Sequence, residues 1–123
     1  TPKPSSAASD VYKRQVWSRD AQGTDLLLYT ANWPAARRLH WNRLLPARAI
    51  ENLCYVAAVN RIGVDGKGHP YSGDSQVLDF QGDSLLDAHD KAGVFHQRLD
   101  SAALTAYRER FPAHQDADPF EFC

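Results

Sequence analysis

Two cysteines and five histidines are the side chains of this chain best suited to act as a nucleophile, a base or a metal ligand. Their spacing limits what they can do. Cys54 opens an apolar run, Cys-Tyr-Val-Ala-Ala-Val, and reads as a buried thiol rather than a reactive one. Cys123 is the last residue, and two cysteines do not make a disulfide framework. His40, His69, His89, His96 and His114 form no H-x-x-x-H or Cys/His pattern, so no metal site is expected. Gly63, Gly66 and Gly68 fit neither a dinucleotide nor a Walker spacing, and Gly66-Lys67-Gly68 reads more simply as a turn, with His69 solvated beside it. Arg48 and Glu51 stand three apart and can form an ordinary helical ion pair. Asp74 and Ser75 follow Gly73 where a turn meets a strand.

The elements that must position these residues centre on residues 25–63. Leu26 to Tyr29 is a continuous apolar run, as in a strand buried on both faces. Asn32-Trp33-Pro34 breaks it, because Pro34 biases Trp33 away from the helical region. Over residues 35–53, Trp41, Leu45, Ala49 and Leu53 recur every four residues. Leu44 and Ile50 widen that stripe, and Arg37, Arg38, Arg43 and Arg48 are expected in solvent. Pro46 lies inside the stripe. A proline there costs about 3 kcal/mol, but the apolar phase runs through it, so one kinked helix is expected. Tyr55 to Val59 is a second apolar run. Strand, helix and strand together predict a parallel βαβ unit.

Beyond it, residues 62–74 hold four glycines and a proline and read as a loop. Residues 75–80 and 84–88 flank Gln81-Gly82-Asp83 as a hairpin. Alternation over residues 93–99 predicts an outer strand with one buried face. Asp100 or Ser101 caps a helix that carries Leu104, Tyr107 and Phe111 on one side, and Pro112 ends it. Residues 16–22 read as the last turns of a helix stopped by Gly23.

The chain has 123 residues, 43% hydrophobic and 24% charged, with a net charge of −1. That allows one domain with a modest core. It gives no basic excess for nucleic acid and no apolar run long enough for a membrane span. Cysteine usage fits a reducing, cytoplasmic compartment. Residues 1–15 carry no hydrophobic period, and SAASDVYKRQ resembles an adaptor-derived translation, so this segment is set apart as a non-native or disordered tail. With no initial Met and no signal peptide, the chain is expected to be a piece of a longer protein.

Six stretches in order, VWSR (16–19), DLLLYTANWP (25–34), LLPARAIEN (44–52), YVAAVNRIG (55–63), YSGDS (71–75) and RFPAHQDADPF (110–120), resemble the C-terminal portion of the nitrilase superfamily of carbon–nitrogen hydrolases, in its omega-amidase-like branch. The resemblance implies an α/β fold, the C-terminal part of a four-layer αββα sandwich, with residues 16–123 forming a partial domain. It implies hydrolysis of small 2-oxo acid ω-amides through a cysteine thioester, without metal or cofactor, in a homodimer. It also implies that the loop of Asn32 and Trp33 lies beside the nucleophile and binds substrate; as residues alone, Trp33 reads equally as a packing residue and Asn32 reads rather as a capping one. The family's nucleophile opens a CYDLRFP-like segment ahead of VWSR, where this chain has residues 9–15. Collinear counting puts Ser9 there, but its neighbours depart from the pattern, so no catalytic residue is assigned. The expected activity belongs to the complete enzyme. The alternative is a non-catalytic α/β fragment that only self-associates.

Overall fold

The structure is a computed structural model and describes residues 23–112. Strand β1 (Leu26–Ala31) leads through a short 3-10 turn (Ala35–Arg37) into helix α1 (Arg38–Asn52), and the chain returns as β2 (Tyr55–Asn60). β1 and β2 pair in parallel, from Leu26 opposite Tyr55 to Ala31 opposite Asn60. This is the βαβ unit expected from the two apolar runs. The remaining elements are β3 (Ile62–Val64), β4 (Pro70–Ser72), β5 (Gln76–Leu78), β6 (Ser84–Asp87) and helix α2 (Ser101–Arg110). β5 pairs antiparallel with β2, and β6 with β5, which gives one sheet in the order β1-β2-β5-β6.

The core lies between α1 and one face of this sheet. Trp41, Leu45 and Ala49 of the helix meet Tyr29, Val56, Ala58 and Leu78 of the strands. The four-residue period is preserved across Pro46, which lies inside α1 as expected. Leu53 then takes a left-handed conformation (φ 47°) that ends the helix, its N–H reaching back to the carbonyls of Ala49 and Ile50. Two residues of α1 differ from their expected environments. Arg48 is buried, with its guanidinium on Glu51 at 2.9 Å, because its turn of α1 faces inward beside Ala49. Ile50, expected in the stripe, is exposed and lies over the β5–β6 turn, where a Cβ on Gly82 would come within 3.0 Å of its Cδ1.

α2 is capped as expected, with the Asp100 carboxylate accepting from the N–H groups of Ala102 and Ala103. Its Tyr107 stacks on Phe80, which meets Tyr55 edge-on. Arg108 closes the seam. Its guanidinium donates to the carbonyls of Leu53 and Thr24 and to the Asp25 carboxylate, at 2.7–2.9 Å.

Two regions differ from the sequence expectation. Residues 62–74 are not a plain loop but carry the β3–β4 hairpin, tightened by Asp65, whose carboxylate accepts from the N–H groups of Lys67 and His69 and from the Tyr71 hydroxyl. Residues 93–99 form no strand: the segment is irregular and almost wholly exposed, because no neighbouring strand among the described residues supplies ladder partners. The helix expected over residues 16–22 lies outside the described residues.

The two-faced burial expected of β1 and β2 holds on one face only. Leu28 is 72% exposed and Val59 60%, and both point away from α1. Parallel strands are ordinarily covered on both faces, and an open apolar face promotes association. The chain is therefore expected to self-associate at micromolar concentration. Replacing Leu28 and Val59 together by Lys should shift its sedimentation toward the monomer. A monomeric wild-type chain with a cooperative melting transition would show instead that the face is covered in solution.

Candidate functional site

The C-terminal ends of β1 and β2 lie side by side, and three connections meet there: residues 32–34, residue 61 and residues 73–75. Ligands of open α/β sheets favour this end of the strands. A polar network holds the loops together. Asn60, the last residue of β2, is buried, and its side chain spends every hydrogen-bonding group on loop backbone. Its Oδ1 accepts from the Trp33 N–H at 2.7 Å, while its Nδ2 donates to the Trp33 carbonyl at 3.0 Å and to the Gly73 carbonyl at 2.9 Å. The Asn60 N–H donates to Ser75 Oγ, and that hydroxyl lies 3.2 Å from the Asn60 carbonyl, to which it donates.

Gly73 is required where it stands. It has φ +75°, and a Cβ would fall 2.6 Å from both the His89 carbonyl and Ile62 Cγ2. Asp74 follows with φ 57° and is almost fully buried. Its carboxylate receives Arg38 Nε at 2.6 Å and Nη2 at 3.2 Å, with Asn42 Nδ2 at 3.4 Å. This partner holds the Arg38 guanidinium above its ordinary pKa. The Asp74 carbonyl accepts from Trp41 Nε1 at 2.9 Å and from Gln76 Nε2 at 3.0 Å. The start of α1 is thereby pinned to the turn that enters β5.

Of the two residues singled out from the sequence, Asn32 is exposed at this rim and Trp33 is not. The Trp33 indole is 1% exposed, packs on Trp41 with ring centroids 5.7 Å apart, and donates to the Arg37 carbonyl. Its side chain fills the core, so it can shape a pocket only through the backbone it anchors. The structure thus brings Asn32 and Trp33 to one loop but turns them to opposite sides. Asn60, Arg38 and Asp74 went unassigned in the sequence reading. For Asn60 a signal existed: Val56, Ala58 and Asn60 share the core face of β2, and a polar residue in that register must find partners.

Asp74, Asp87 and His89 bring one ligand atom each within 4.8 Å of one another. Both carboxylate oxygens of Asp74 already receive Arg38, so a metal ion there would compete with a guanidinium. Cys54 stands at the other end of β2. Five strand residues lie between it and Asn60, and the six steps span roughly 20 Å at the usual rise. It is fully buried, and burial pushes its thiol pKa up to about 11. At neutral pH its thiolate fraction is therefore about 100-fold below that of an ordinary thiol.

The family model described as Carbon-nitrogen hydrolase matches residues 11–109. An omega-amidase of Escherichia coli K12 is 56% identical over 107 residues, 85% of this chain and 41% of that protein. A 2-oxoglutaramate amidase of Bacillus subtilis is 35% identical over 95 residues, 77% of this chain and 36% of that protein. The solved structure of a CN-hydrolase superfamily protein from Xanthomonas campestris superposes with a TM-score of 0.78 at 50% identity, over 80% of this chain and 37% of that one. The chain thus spans about two-fifths of the length of these relatives.

Two outcomes are expected at the level of single side chains. In a Cys123→Ser background, Cys54 should resist iodoacetamide at pH 7.5, reacting at least ~100-fold more slowly than free cysteine until denaturant is added. Because its folded pKa lies above the unfolded one, the stability held by the neutral thiol should be complete below pH 9 and be lost as pH rises towards 11. Trp41→Phe removes the buried donor to the Asp74 carbonyl and should cost about 1–3 kcal/mol in denaturant titration.

Proposed function

The chain belongs to the carbon–nitrogen hydrolase family, in the omega-amidase-like branch of the nitrilase superfamily, and from that premise we propose that it is the C-terminal portion of an enzyme cleaving the terminal amide of small 2-oxo acid ω-amides. The observation that carries this reading is the 56% identity to an omega-amidase over 107 residues, 85% of this chain. In the proposed reaction a cysteine thiolate attacks the amide carbon, the C–N bond breaks, and ammonia leaves with a proton from a carboxylic acid. Water then hydrolyses the thioester, returning the 2-oxo acid and the thiol. A cation or N–H donors must meet the charge that develops on the carbonyl oxygen.

Residues 16–123 supply the scaffold and one rim of that site, and the catalytic thiolate comes from outside them. Cys54 is excluded on chemical grounds: it is buried, neutral at working pH and at the far end of its strand. Asn32, exposed on its loop, is the side chain of this rim placed to meet substrate, with Trp33 holding the loop from beneath. In the complete enzyme we place this domain in a cytoplasmic homodimer. No helix among the described residues is long and apolar enough to cross a membrane.

A second reading, a non-catalytic fragment that only self-associates, is favoured by the open face of Leu28 and Val59. One experiment separates the two. The chain as it stands should release no ammonia from 2-oxoglutaramate above a buffer blank. A protein with a family-like N-terminal half ahead of Val16, ending in a CYDLRFP-like segment in place of residues 9–15, should release it and lose that activity with its cysteine. In that protein Trp33→Ala should lower kcat/KM beyond what its loss of stability explains. Ammonia release by the present chain, abolished by Cys54→Ala, would overturn the assignment, as would a silent completed protein that folds.

A further inference from the structure

A buried carboxamide is costly to keep unless each of its groups is partnered. Asn60 meets that condition in a particular way: none of its three side-chain hydrogen bonds goes to another side chain. It pairs both the N–H and the carbonyl of Trp33 and so ties the loop two residues beyond Ala31 to the end of β2. Its remaining N–H holds the Gly73 carbonyl, in the turn whose positive-φ backbone carries Asp74. Ser75 braces the Asn60 backbone from β5's side. No other type of similar size fits this set. Aspartate offers oxygen to two carbonyls, and leucine leaves all three backbone groups unpaired.

The geometry points to Asn60 as a positioning residue, a buried clamp that fixes the Trp33 backbone against the Gly73 turn and so sets where Asn32 stands at the rim of the amide site. This rests on the amidase reading of that site. The effect on chemistry is indirect: displacing a substrate-positioning loop by about 1 Å can cost on the order of 100-fold in rate. The loop residues themselves need not change for the rim to move.

The test has two arms. In the 123-residue chain, hydrogen exchange of the Trp33 amide is compared with that of Ala58 in β2. Trp33 should be protected in the wild type and exchange at least 10-fold faster in Asn60→Ala, with Ala58 unchanged. Equal Trp33 rates in the two proteins overturn the clamp. Should Asn60→Ala unfold the chain, the wild-type rates decide, and a Trp33 amide exchanging as fast as that of Asn32 overturns it. In the completed enzyme, the near-isosteric Asn60→Asp should lower kcat/KM at least 10-fold, mainly through KM, at temperatures well below its melting point. A lowered melting point with KM and kcat both unchanged would make Asn60 structural only and overturn the positioning role. If the wild-type completed enzyme folds but releases no ammonia, the amidase reading fails, while the exchange arm still decides whether Asn60 clamps the loop.

Discussion

The structure depends on the parallel pairing of β1 with β2. Two parallel neighbours cannot be joined by a tight turn, so the chain must leave the sheet, cross it and return. α1 is that crossing, and everything buried follows from its inner stripe. Trp41, Leu45 and Ala49 stand over Val56 and Ala58, and full burial of a side chain of the size of Leu45 or Val56 contributes about 1.5–3 kcal/mol of transfer free energy. A break in the stripe would separate the strands as well as the helix. This explains why Pro46 is tolerated: the packing on both sides of it holds the helix in phase, and the local cost of about 3 kcal/mol is spread over a long contact.

The same pairing makes the candidate site. Parallel strands end together, so the loops after Ala31 and Asn60 emerge next to each other, and β5 enters beside them through Gly73 and Asp74. Three loop backbones then crowd one place with few strand partners to satisfy them. The solution is a set of side chains used as substitute backbone. Asn60 serves Trp33 and Gly73, Ser75 serves Asn60, and Trp41 and Gln76 share the Asp74 carbonyl. A buried network whose groups are satisfied rigidifies the segments it joins, and rigidity is what the proposed rim requires. The face of Leu28 and Val59 shows the opposite condition, apolar surface with no layer above it among the described residues.

The sequence by itself determined the elements whose signal is local. The period of α1, the strands on either side, the Gly82 hairpin and the Asp100 cap all follow from spacing and turn chemistry, and the structure has each of them. The order of six short motifs was enough to indicate the family. What only the tertiary structure decided depends on partners far along the chain. Residues 93–99 alternate like a strand but form none, since alternation expresses a preference and a ladder needs a neighbour. Trp33 could pack or line a pocket by its type alone. The indole went to the core because Trp41 and the Arg37 carbonyl were there to receive it, leaving Asn32 outside. Arg48 and Ile50 exchanged their expected environments because the edge of a helical stripe is set by what packs against it, not by the helix. Asn60 ends an apolar run in register with its core face, which shows that it needs partners but not which ones. Its three partners lie 13 and 27 residues away, and only the fold brings them within the reach of one carboxamide.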